Sequence, residues 1–548
     1  MNKKFVYGSL IALVLPMFFQ VIIKEITPIS KIVYRNSNLK RLSLEDGKSE
    51  NLTSISNEKV DILVKFDYEN LVITDQISEE DDNYREMLFS LGKKYYSAKN
   101  TELMKKINTE RMENLYVSKY SPFFCFTVDS NILDTVYKED LSSLEKNDNV
   151  KLISVATEPK YVGKLNNAKA AKNISYIHED LGFTGKNIKV GILEPSILDK
   201  NHANFQGKNV TVRDEWYYIE TVKEHTTEMG SVIGGKYGVA PDCSLYSVEL
   251  SGNSVSEFDW LLDQGVDIVN MSYGEQNLTG NYSNDSAYVD YIVKTYKLIC
   301  VAAAGNNGES DGYVGNPGLG YNVLTVGACS NNSPSRMSLS SYVVNNGPDK
   351  PNIMASGSMA IQGFGITHYG TSYSSAFVSG CIALLLEARP DLKLHPEAVY
   401  ALLSATADSP SGYGDYTGIH YDVGSGGINI KRAIQYKNCV IFDTNTDAKN
   451  FCKEIKIKVF LDSKIKVTAW WLANADGNAN NTKFTDYDLF IMDTSPNFVS
   501  KARTLRNNFE QIEVTCKRVD TYTMALSISV RNPETVNDNY AIAYYFVV

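Results

Sequence analysis

Apolar and polar positions change rhythm three times along the chain. Between residues 59 and 160, period-two runs alternate with a helical period. Val60–Phe66 predicts a strand, and Met87, Leu88, Leu91 and Tyr95 predict a helix inside the charged segment 78–114. Phe123–Val128 predicts a second strand, Leu141–Asn147 a helix, and Val150–Val155 a closing strand. That order predicts a small α+β sandwich. From Asn187 onward, short apolar strands alternate with helices, the mark of a doubly wound, mostly parallel α/β sheet over residues 170–437. Its expected strands are Ile188–Leu193, Cys243–Leu250, Val266–Ser272, Leu298–Ala304 and Val323–Ala328. Gly370-Thr371-Ser372 then opens a run, Phe377–Leu385, that reads as a buried helix. After Asn438 the helical period stops. Ile455–Leu461, Ile465–Leu472, Asp488–Met492, Gln511–Cys516 and Tyr522–Val530 predict an all-β sandwich over residues 438–548.

The N-terminus adds a membrane element. Lys3 and Lys4 precede Phe5–Ile23, nineteen residues without a charge, enough to span a bilayer. No small-residue cleavage site follows. The expectation is an uncleaved signal-anchor over 1–24, its lysines held in the cytoplasm, and a polar linker over 25–58. The body of the protein then lies outside the cell. At 548 residues, 43% hydrophobic and 22% charged, the chain has room for three or four domains with a large core. A net charge of −10 argues against nucleic acid as a partner. Of eight cysteines, Cys300, Cys329 and Cys381 sit in apolar runs and read as core, while Cys439, Cys452 and Cys516 are candidates for one bridge. No CxxC pair exists, which argues against structural zinc.

Reactive groups in doubly wound sheets gather outside the carboxyl ends of the strands. Glu194, Ser272 and Asn306 all fall there. Ser372 sits at a helix start, where outward N–H groups suit a nucleophile whose product is an oxyanion. His225 opens a small-residue helix, Glu224 to Gly235. Each has a plainer reading: Ser and Thr cap helices, and Asn306-Asn307-Gly308 makes a good turn. His368, four residues before Ser372, is a rival base without a strand or helix start to fix it, and so reads as substrate-side or structural. Asp199 is a rival acid that belongs more naturally to the following loop.

Taken together, the strand ending at Glu194, the His225 helix with Gly238-Val239-Ala240-Pro241, the Ala302–Asn306 run and Gly370-Thr371-Ser372 resemble the subtilisin-like (subtilase) serine peptidases. The resemblance covers about residues 175–435, with 31 residues from acid to base and 147 from base to serine. It implies Ser372 as nucleophile, His225 as base, Glu194 as the acid and Asn306 as oxyanion donor. It implies Ser272, Tyr273 and Gly274 as the strand that pairs with substrate backbone, beside a pocket walled by Ala303 to Gly305. The upstream unit is similar to a subtilase propeptide, an inhibitor of its own chain, and the tail is similar to the β modules of many subtilases. Three departures stand out. The acid is Glu194 rather than Asp and is followed by Pro195-Ser196, the family's second His is Glu228, and the usual Pro after the nucleophile is Ala376.

The expected function is a membrane-anchored, outward-facing serine endopeptidase acting on protein or peptide substrates, made as a zymogen. The alternatives are a pseudoprotease that binds without turnover, and an adhesion protein whose β module does the work. Intact Ser372, His225 and Asn306 favour catalysis, because a pure binder needs none of them. No cofactor is implied. Asp486 and Asp488 are candidate calcium ligands, although a Tyr-separated carboxylate pair in an acidic protein also reads as a solvated strand edge.

Overall fold

The computed structural model describes residues 59–66, 68, 84–141, 150–155, 174–213, 223–250, 254–275, 279–330, 334–364, 368–410, 415–446, 451–494, 498–530 and 538–547. The expected anchor, the linker and the exit segment 157–172 lie outside the described residues. So does nearly all of the expected helix Leu141–Asn147, of which only Leu141 is described.

Four strands open the fold: β1 (Lys59–Phe66), β2 (Glu113–Val117), β3 (Phe123–Asp129) and β4 (Val150–Val155). They pair in the order β2-β3-β1-β4, with β1 antiparallel to both neighbours. Three of these match the apolar alternation. The edge strand β2, Glu-Asn-Leu-Tyr-Val, has no buried position and therefore no alternation to read. The helix Tyr84–Met104 buries Leu88 and Tyr96 and leaves Met87 exposed. Ile62, Val64, Phe124 and Phe126 form the unit's own core, while Leu63 and Phe123 point the other way, into a core shared with the next unit.

That next unit is a seven-stranded, all-parallel sheet. Its strands are β5 (Lys189–Glu194), β6 (Val210–Val212), β7 (Ser244–Glu249), β8 (Ile268–Met271), β9 (Ile299–Ala303), β10 (Leu324–Cys329) and β11 (Ile353–Ser356). The order is β11-β10-β9-β8-β5-β7-β6, so β5 lies where the chain builds outward in both directions. The expected strands appear with ends shifted by a residue or two. The short edge strands β6 and β11 were not anticipated. Helices Lys223–Gly234, Thr371–Ala388 and Pro396–Thr406 share one core with the sheet, through Val190, Ile192 and Ile268 among others. Helices Val255–Gln264 and Asn284–Tyr296 share the opposite core, through Leu193, Val269 and Met271. Burial on both faces is why these strands read as continuous apolar runs.

The tail is a sandwich of a five-stranded and a four-stranded antiparallel sheet. Trp470 and Trp471 are adjacent and fully buried because the pleat sends them to opposite faces. Trp470 packs on Tyr400 of the Pro396–Thr406 helix, ring centroids 5.2 Å apart, and Trp471 packs at 5.2 Å on Tyr487 within the sandwich. Tyr416–Thr417, from upstream, adds an edge strand to the larger sheet. Two expectations need correction here. All eight cysteines are free thiols, so Cys439, Cys452 and Cys516 form no bridge. Asp486 and Asp488 are buried rather than solvated, and Asp488 lies 2.7 Å from Arg503 Nε.

The N-terminal unit docks on the Val255–Gln264 and Asn284–Tyr296 helices. Buried Asp259 accepts hydrogen bonds from Tyr116 Oη (2.8 Å), Ser118 Oγ (2.9 Å) and the Lys119 backbone N–H (2.6 Å). Arg85 pairs with Asp267 at 2.5 Å, and Tyr291 Oη donates to Tyr96 Oη at 2.8 Å. Removing one acceptor strands three donors at a buried interface. Asp259→Ala is therefore expected to weaken docking by about 3 kcal/mol, read as faster amide hydrogen exchange in β1–β4. Unchanged exchange would mean that this carboxylate does not hold the unit.

Candidate active site

The helix Thr371–Ala388 buries every residue except Glu387. Gly380 lets it approach the chain beside it, since a Cβ there would meet Val239 Cβ at 2.6 Å. Its second residue is Ser372, nearly buried, at the end where helix N–H groups lack intrahelical partners. Ser372 Oγ donates to the Ser272 carbonyl at 3.0 Å. Beneath it runs a fully satisfied polar layer. Ser272 Oγ donates to the Ser372 carbonyl at 3.0 Å, Asn270 Nδ2 donates to Ser272 Oγ at 2.7 Å, and Ser379 Oγ donates to Asn270 Oδ1 at 3.0 Å. β8 and the helix start are thereby fixed to each other on both sides of Ser372.

Glu194 ends β5 with no exposed surface. Its Oε1 accepts the Ser272 backbone N–H at 2.8 Å, and its Oε2 lies 3.6 Å from His225 Nδ1. The latter separation is longer than a hydrogen bond. The loop after β5 is tied to the His225 helix twice, by Ser196 Oγ and Thr226 Oγ1 at 2.6 Å and by the Asp199 N–H donating to Thr227 Oγ1 at 2.9 Å. Asp199 itself accepts from the Asn201 N–H within its own loop, as expected of a loop residue. Burial dominates the electrostatics. It pushes Glu194 up to about 8 against the Ser272 hydrogen bond, and pushes His225 down to about 4, helped by His368. The imidazole is neutral at ordinary pH, the state a general base requires.

Asn306 follows β9. Its Oδ1 accepts from the Thr371 N–H (2.9 Å) and Thr371 Oγ1 (3.0 Å), which directs the amide nitrogen the opposite way. Thr371 Oγ1 also accepts the Gly305 N–H at 3.1 Å. Thr371 is thus the clamp between the β9 turn and the Ser372 helix, a role the sequence conceals because Thr also reads as a plain helix cap. Gly305 has φ +105, and a Cβ there would meet Ser341 Oγ at 3.0 Å. Ala303 is buried beside it, and Tyr273 and Gly274 leave the end of β8 half-buried.

Three further residues crowd His225. Glu228 Oε2 accepts from Tyr373 Oη at 2.8 Å, and Glu228 Oε1 lies 3.2 Å from His368 Nε2. His368 is not the loosely held residue expected. It lies in a two-residue strand, His368–Tyr369, paired with Ser358–Met359. The described residues contain no group of three His, Cys, Asp or Glu side chains set to hold a metal ion.

The model of the subtilase family, peptidase S8, matches residues 128–426. Subtilisin DY of Bacillus licheniformis is 30% identical over 277 residues, covering 46% of this chain and 93% of that protein. The membrane-bound transcription factor site-1 protease of Homo sapiens is 27% identical over 286 residues, covering 47% of this chain but 26% of that protein. This chain thus spans about a quarter of that relative's length. Among solved structures, the prenylagaramide maturation protease PagA aligns with a TM-score of 0.39 at 24% identity, over 48% of this chain and 97% of its own.

The buried carboxyl has a consequence for stability. Between the ordinary glutamate value of 4.5 and about 8, the folded protein keeps a Glu194 proton that the unfolded chain has lost. Stability therefore falls as pH rises through that window. The buried His225 acts in the opposite direction, losing stability as pH falls from 6.5 to about 4. Glu194→Gln abolishes the first trend and keeps the second. Its melting temperature is expected to gain on the parent's from pH 4 to pH 8; a pH-independent difference would show that Glu194 ionises normally.

Proposed function

Because this chain belongs to the subtilase family, we propose that it is a serine endopeptidase in which Ser372, His225 and Glu194 form the catalytic triad. The observation that carries this reading is the meeting of β5, the His225 helix, β8 and the Ser372 helix at one buried point. There a neutral imidazole faces a carboxyl on its Nδ1 side. Ser372 Oγ turns from the Ser272 carbonyl and attacks the peptide carbonyl carbon while His225 Nε2 takes its proton. The C–N bond then breaks as His225 returns that proton to the leaving amine, and water hydrolyses the acyl-enzyme by the same route. Asn306 Nδ2, oriented by Thr371, donates to the oxyanion. Tyr273 and Gly274 offer backbone to the substrate, and Ala303 and Gly305 wall its side-chain pocket.

Glu194 keeps the acid's charge logic at the cost of an extra methylene, about 1.5 Å of reach. The Thr226 and Thr227 ties hold the His225 helix against the altered turn and accommodate that reach. Its carboxylate accepts a hydrogen bond from Nδ1–H, holds the tautomer and stabilises the imidazolium. The pseudoprotease alternative is the weaker reading, because a pure binder needs none of Ser372, His225 and Asn306.

Two wider readings accompany this one. The unit over 59–160 acts as a propeptide-like folding aid and inhibitor, a reading supported by its docked face; Asp259→Ala should then slow refolding of the whole chain, and refolding at the parent rate counts against it. The protein is anchored with its catalytic part outside the cell. Among the described residues the single helix long and apolar enough to cross a bilayer is Thr371–Ala388, a core helix. The anchor therefore rests on Phe5–Ile23, outside the described residues, and N-terminal sequencing of membrane-fraction protein that began near residue 25 would refute it.

Ser372→Ala is expected to abolish both fluorophosphonate labelling and peptide cleavage with the melting temperature kept. Labelling that persisted on another serine would overturn the assignment. The parent's kcat/KM should rise with pH toward a plateau above about 8 as Glu194 ionises. Glu194→Gln should lower kcat by orders of magnitude and remove that rise, whereas Asp199→Asn leaves both unchanged. The reverse pattern would give the acid's role to Asp199.

A further inference from the structure

The proposed triad makes no use of Glu228, Tyr373 and His368, yet together they form the most enclosed polar cluster beside it. Glu228 lies three residues after His225 on the same helix, so the two side chains share a face. A carboxyl this buried is costly unless its oxygens are engaged. Here Oε2 accepts the Tyr373 hydroxyl at 2.8 Å, and Oε1 lies 3.2 Å from His368 Nε2. Tyr373 directly follows Ser372, and its ring has no exposed surface. That ring meets the His225 imidazole edge-on, centroids 5.9 Å apart at 63°, and meets His368 on another side at 6.2 Å. The phenol thus fills the space between two imidazoles, and Glu228 holds its far end.

We propose that Glu228 is a positioning residue for His225, acting through the Tyr373 ring, which it pins as a buttress for the imidazole. The proposal rests on the reading of His225 as the base. Helix Lys223–Gly234 carries the base and helix Thr371–Ala388 carries the nucleophile. The Tyr373–Glu228 hydrogen bond joins the two one residue from Ser372 and one turn from His225. His368 brings the strand before Ser372 into the same clamp. Such a link leaves substrate binding alone and narrows the imidazole's motion, and so it acts on kcat rather than KM. The ionisable groups facing the cluster are Glu224 on the same helix, Glu194 on β5, and the two histidines. All of them are retained in the variants below.

The test is a double-mutant cycle in the whole chain with a peptide substrate. Tyr373→Phe keeps the ring and removes its hydroxyl, and Glu228→Leu removes the anchor. Each is expected to lower kcat by about tenfold with KM unchanged, and the double variant should have a kcat no lower than either single one. Fluorophosphonate labelling should slow in parallel. Unchanged kcat in Tyr373→Phe overturns the proposal, and so does a double variant whose losses multiply. Should Glu228→Leu unfold, the near-isosteric Tyr373→Phe decides alone. Persistent cleavage by Ser372→Ala would instead refute the triad reading itself, whatever the cycle shows.

Discussion

A helix with no solvent face can exist only inside a protein, and Thr371–Ala388 is such a helix. Its length and apolar surface demand the parallel sheet on one side and the Lys223–Gly234 and Pro396–Thr406 helices around it. Each buried Leu, Ile or Phe along it contributes about 2 kcal/mol, so its axis has little freedom to shift. Its N-terminus must still emerge somewhere, and it emerges at the carboxyl edge of the sheet. Ser372 is placed by the burial of fifteen of the sixteen residues that follow it in the helix.

The same burial sets the electrostatics. Glu194 and His225 lie in a region where neither is easily charged, and their ordinary values move in opposite directions toward neutrality. A neutral imidazole is free to take up a proton, whereas a neutral carboxyl carries no charge to offer the imidazole beside it. The Ser272 N–H works against that second tendency by favouring the carboxylate. Around this pair the structure uses short hydroxyl side chains as fasteners. Thr371 holds Asn306, Ser272 holds the Ser372 turn, and Thr226 and Thr227 hold the loop after Glu194. Each is a local hydrogen bond between elements distant in sequence, and together they replace the rigidity a disulfide would bring.

The three units are not beads on a string. Leu63 and Phe123 of the N-terminal sheet share a core with Phe258 and Tyr288 of the central unit, and Trp470 and Phe509 of the tail share the opposite core. Lys65 of β1 even pairs with Asp476 of the tail at 2.8 Å.

The sequence by itself determined the fold class and that Glu194 would close a strand and Ser372 and His225 would open helices. Periodicity records burial, and motifs at strand ends and helix starts record which backbone positions are exposed to chemistry. The short strands β2, β6 and β11 escaped because three to five residues, partly exposed or uniformly buried, carry no period to detect. Only the tertiary structure decided that Thr371 orients Asn306, that His368 belongs to Glu228, and that three late cysteines do not pair. These facts depend on distances between side chains that are far apart in the chain or whose direction no local pattern specifies. Local sequence encodes which surfaces must be hidden, whereas the packing of those surfaces decides which polar groups meet.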